Sequence, residues 1–171
     1  PVASAVLVDT LPRAHDVTLL SYGRAGEPAA SAAATQAVLD AGLRAHDLVV
    51  ADLARYPDPG REVLARSSDL ALVVVPAEVR ATAAARGVVA QLAGVVTDLR
   101  VVVRGPAPSG LDARTVARLL GLGCAGWLRA EPGLATTLER GAAPARSGRG
   151  PLAELSRQLL AEVAAAAVPA A

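Results

Sequence analysis

Residues 70–104 read LALVVVPAEVRATAAARGVVAQLAGVVTDLRVVVR, and this stretch decides the fold. The uninterrupted apolar run from Leu70 to Val75 suits a strand covered on both faces, as strands of a parallel sheet are. Between Val79 and Leu99 the residues Val88, Val89, Leu92, Val95, Val96 and Leu99 recur at intervals of three and four. That period lays one apolar face of a helix on the sheet. A second apolar run follows from Arg100 to Arg104, so strand, helix and strand succeed one another as a βαβ unit.

The alternation continues in both directions. Further strands are expected near Val17 to Ser21, Asp47 to Asp52 and Ala125 to Leu128, while AVLVD at 5–9 is too short to decide. Helix punctuation fills the gaps. Asp58 can cap a helix with Pro59 in its first position, and Pro132 opens a short helix that Gly141 can close. Asp112, Arg114 and Arg118 mark another helix, with Val116, Leu119 and Leu120 facing inward and Gly121 at its end. Residues 141–150, GAAPARSGRG, form a loop before a last helix from Pro151 to about Ala167. One α/β domain spanning residues 1–171 is the expectation.

Composition bounds the function. The 171 residues are 53% apolar, enough to bury a core, and that fraction is almost wholly Ala, Val and Leu. Every basic residue is Arg, and the chain has no lysine. A net charge of +1 without a basic tract disfavours nucleic acid as a partner, and only Tyr22, Tyr56 and Trp127 are available to stack on bases. Cys124 is the single cysteine, which excludes an intrachain disulfide and fits a reducing, cytoplasmic setting. No apolar run reaches the roughly 18 residues of a membrane span. From the absence of methionine, Pro1 is expected to be a processing or cloning boundary, with further sequence expected upstream.

The stretch HDLVVADLARYPDPG at 46–60 carries the most chemistry. An apolar strand ending on Asp52 runs straight into a Pro/Gly-rich loop, and in open α/β sheets ligands sit beyond the carboxyl ends of strands. A carboxylate there can hold Mg²⁺ directly or through water; equally, Asp52 can do no more than cap the following turn.

Several segments, in order, resemble the MinD/ParA group of P-loop ATPases. DLVVADLA is similar to that group's Walker B strand, SSDLALVVVPAEVRATAAARGVV to the next strand, its Pro and the long helix after it, and LRVVVRGPAPSGLDARTVARLLGLGCAGWLRAEPGLATTLERGAAP to its carboxyl-terminal block. LLSYGR, VVVPAEVRA and VVVRGPAPSGL are closer still to the actinobacterial CpaE-like, septum site-determining and TadZ-like proteins. The match runs from about Leu11 nearly to the end.

The resemblance implies a three-layer P-loop NTPase-like fold with a mostly parallel sheet, here its carboxyl-terminal portion without the Walker A loop. It also implies a spatial regulator that positions the division septum or a Tad/Flp pilus and secretion machine. An ATP- and Mg²⁺-linked homodimer cycle would belong to the full-length protein, and recruitment to the membrane would come through partners. On this reading Asp52 is the Mg²⁺ residue and Arg104 a nucleotide contact. Three departures limit it. The group's phosphate loop carries lysines, and this chain has none; neither GRAG at 23–26 nor GLG at 121–123 makes a phosphate cradle. Ala54 stands where the group has Pro, and Val103 precedes Arg104 where the group has Asn to meet adenine. A degenerate scaffold that no longer turns over ATP is therefore an alternative reading.

Other constellations are weaker. His15 and His46 lack the paired spacing of a metal site. Ser21, His46 and Asp52 can be drawn as a triad, but no nucleophile elbow supports a small-molecule enzyme on a doubly wound fold. Cys124 is expected as a core thiol of its strand. Leu152, Leu155, Leu159 and Val163 share one face of the last helix, similar to the membrane anchor of MinD. The opposite face offers Glu154, Arg157, Gln158 and Glu162 rather than a basic surplus, so packing on the sheet is expected.

Overall fold

A computed structural model describes residues 10–21 and 30–167; the segments AVLVD and GRAG and the ring of Tyr22 lie outside them. The chain divides into two compact units, Pro1–Ser68 and Asp69–Ala171.

In the first unit, β1 (Arg13–Ala14) pairs antiparallel with β2 (Val17–Thr18), and His15 in the connecting turn takes a positive φ of 55°. Helix α1 (Ala32–Ala45) starts where Ser31 Oγ accepts the N–H of Ala34, and α2 (Pro59–Arg66) starts where Asp58 accepts the N–H of Arg61 with Pro59 in the first turn. The two helices meet closely. A Cβ on Gly60 would lie 2.8 Å from Thr35 Oγ1, so glycine permits the approach, and Leu39, Ala41 and Ala65 are buried with it.

Two expected strands do not join a parallel sheet. Of Val17 to Ser21, only Val17–Thr18 pairs, in the hairpin just described. Asp47 to Asp52 forms no strand among the described residues, and Val50 within it is 83% exposed. Apolar β-branched residues suit a strand, but a strand exists only where a neighbour takes its backbone groups.

The second unit holds the parallel sheet. Its strands β3 (Ala71–Pro76), β4 (Leu99–Arg104) and β5 (Gly123–Leu128) lie in the order β3-β4-β5. Register runs unbroken from Ala71↔Leu99 to Pro76↔Arg104. Between β4 and β5 it shifts at Val101/Val102, where Ala125 is an extra residue, a bulge. Helices cover both faces. On one, α3 (Val79–Leu92) and α4 (Ala113–Leu120) close a core of Val75, Ala77, Ala85, Val89, Val101, Val103, Val116, Ala117 and Leu120. On the other, α6 (Pro151–Ala167) sets Leu155 on Val102 and Ala125, with Leu72, Leu128 and Leu159 around them. The short helix α5 (Leu134–Glu139) precedes the loop at 141–150.

Local signals set the helix ends. Asp112 accepts the N–H of Thr115 at 2.6 Å, and Gly121 closes α4 in the left-handed conformation. Some expectations shift. Helix α3 ends at Leu92, because Val95 and Val96 both donate to Leu92 O in a turn; its buried face is Thr82, Ala85, Val89 and Leu92, and Leu99 already opens β4. Leu119 is 53% exposed and Ala117 takes the inward position. Cys124 is exposed on edge strand β5 rather than held in the core.

Asp98 and Asp112 give the fold an acid-sensitive component. Hydrogen bonds from Arg100 hold the carboxyl of Asp98 below its ordinary value, and the backbone N–H of Thr115 does the same for Asp112. A carboxyl lowered in the folded state stabilises the fold above its unfolded value and loses that contribution as pH falls through its folded value. The thermal midpoint is therefore expected to drop on acidification below about pH 4, and less steeply in an Asp98→Asn, Asp112→Asn double variant, as thermal melts across that range would show.

Candidate functional site

The two residues singled out by sequence fall in different units. Asp52 is exposed on the connection between α1 and α2. Among the described residues no trio of His, Cys, Asp and Glu gathers to hold a metal ion. Arg104 is exposed at the carboxyl end of β4, in register with Pro76 and Leu128. Its carbonyl accepts the N–H of Ala77 at 2.9 Å, fixing the turn out of β3. The next residue, Gly105, is closely approached: a Cβ would sit 3.0 Å from Trp127 Cζ2, tighter than ordinary contact.

Val103, just before Arg104, is wholly buried. Backbone alternation turns it to the α3/α4 face.

Five of the six helix starts among the described residues also do not suit a phosphate. A phosphate needs free N–H groups at a helix N-terminus and no negative charge beside them. Here Ser31, Asp58 and Asp112 already accept first-turn N–H groups of α1, α2 and α4. Glu78 sits at the start of α3. The carboxylate of Glu131 takes the N–H of Leu152 at 2.9 Å in the first turn of α6. These five helix starts thus offer no ready phosphate site.

His46 is a bracing residue. Its Nδ1 pairs with Gly42 O at 3.2 Å and its Nε2 with Thr18 Oγ1 at 3.0 Å. Both ring nitrogens are engaged, so a triad with Ser21 and Asp52 does not assemble. At the end of β5, Trp127, Arg129, Pro151, Glu154, Leu155 and Gln158 line a cleft of about 140 Å³, below the roughly 300–1,000 Å³ of small-molecule pockets. Arg129 and Glu154 pair across it at 3.3 Å.

Sequence reasoning missed the buried arginine Arg61, 7% exposed, the reach of Glu131 to α6, and the contact of Trp127 with Gly105. Each joins residues far apart in the chain, or depends on packing that no local period reports. The glycine directly after the VVVR run was the one available signal, since close backbone approaches favour that residue.

Two curated relatives, both uncharacterized proteins of Mycobacterium tuberculosis, one from strain CDC 1551 / Oshkosh and one from strain ATCC 25618 / H37Rv, are each 38% identical to this chain over 150 residues. The match covers 88% of this chain and 42% of each relative, so the chain spans less than half the length of the proteins it matches. No family profile and no solved structure matches it. Among the described residues no helix is long and apolar enough to cross a membrane.

Proposed function

We propose that this chain is the carboxyl-terminal part of a MinD/ParA-like spatial regulator that helps position the division septum or a Tad-type pilus and secretion machine. The observation that carries this reading is order: DLVVADLA, VVVPAEVRA and VVVRGPAPSGL follow one another as they do in the group it resembles. The parallel sequence β3-α3-β4-α4-β5 supports it, with Arg104 at a strand's carboxyl end, where α/β folds place ligands. An ATP-linked homodimer cycle and membrane recruitment through partners belong, on this reading, to the longer polypeptide in the cytoplasm.

In that longer protein, Asp52→Ala is expected to abolish Mg²⁺-dependent ATP hydrolysis while leaving the circular dichroism spectrum unchanged. Turnover equal to wild type removes Asp52 from the site. The 171-residue chain alone is expected to give no ATP-binding heat in calorimetry. Imaging a fluorescent fusion tests the cellular role, with foci at the septum or at a pole expected and an even distribution contradicting it.

The buried Val103 and the carboxylates at the helix starts favour a second reading, a scaffold of the same fold that does not hydrolyse ATP. Foci in cells together with no hydrolysis by the wild-type longer protein would select the scaffold.

A further inference from the structure

We draw no further inference here: the strongest candidate, the surface patch of exposed arginines on helices α3 and α4 of the second unit (Arg80, Arg86, Arg114 and Arg118), carries nothing because nothing in the structure shows what covers it.

Discussion

Leu155→Ala is expected to destabilise the second unit by about 2 to 4 kcal/mol, the range for removing a buried leucine from a site that cannot collapse around the loss. Leu155 is 8% exposed and, with Ala153, is one of two buried residues on α6. Leu159 adds a partly buried apolar contact to the same cluster, and the polar ties are partly solvated: Arg100 to Glu162 at 2.9 Å, Arg129 to Glu154 at 3.3 Å, and Gln158 to the carbonyl of Ala125 at 3.2 Å. Solvated ion pairs contribute little each, so the apolar face led by Leu155 carries most of the attachment.

Gly126 makes room for it. A Cβ at that position would lie 2.5 Å from Leu155 Cδ1, and Gly126→Ala alone is expected to cost about 1 to 3 kcal/mol through overpacking. In the double variant the new methyl enters the volume the leucine leaves. The combined cost is therefore expected to fall short of the sum by at least about 1 kcal/mol. Urea unfolding of the wild type, both single variants and the double variant, compared at constant slope, measures this; strict additivity would mean that the two residues do not share one space.

The parts of the fold legible in the sequence are those that neighbours in the chain decide. Asp58 with Pro59, Asp112 with Gly121, and the Gly- and Pro-rich loop at 141–150 all act where their residues place them, because capping and turn chemistry are local. The apolar runs of β3 and β4 were legible to within a residue. The failures share another cause. Val95 and Val96 continue the helical period of α3, but the chain has already turned at Leu92 to reach β4. Leu119 lies off the face that Val116, Ala117 and Leu120 turn inward, a phase that the sequence alone left open. DLVVAD reads as a strand and forms none among the described residues, since pairing depends on what lies beside it. Of the two candidate residues, Arg104 closes a strand as the apolar run before it suggests, whereas Asp52 follows a run that forms no strand among the described residues. The burial of Val103 was not legible, because VVVR reads the same whichever face each valine takes.

Val103→Asn is the substitution that separates a core from a ligand site. On the proposed MinD/ParA-like reading Asn is the residue expected here, and if this strand end served base recognition the change would supply a contact. The geometry predicts the reverse. Val103 is 0% exposed among Val75, Val101, Val116 and Leu120, and none of those side chains can accept or donate a hydrogen bond. A carboxamide there forfeits the apolar burial and leaves its own polar atoms unpaired, for an expected loss of about 2 to 5 kcal/mol. Arg104→Ala, at the exposed neighbour, should change stability by no more than about 0.5 kcal/mol. Urea denaturation of the two variants gives the comparison directly. Wild-type stability in Val103→Asn, together with new ATP-binding heat, would place this residue in a nucleotide site. Unfolding at much lower urea with Arg104→Ala unaffected means that the last turn of β4 has been given over to the core, leaving Arg104 as the one side chain of that pair able to meet a ligand.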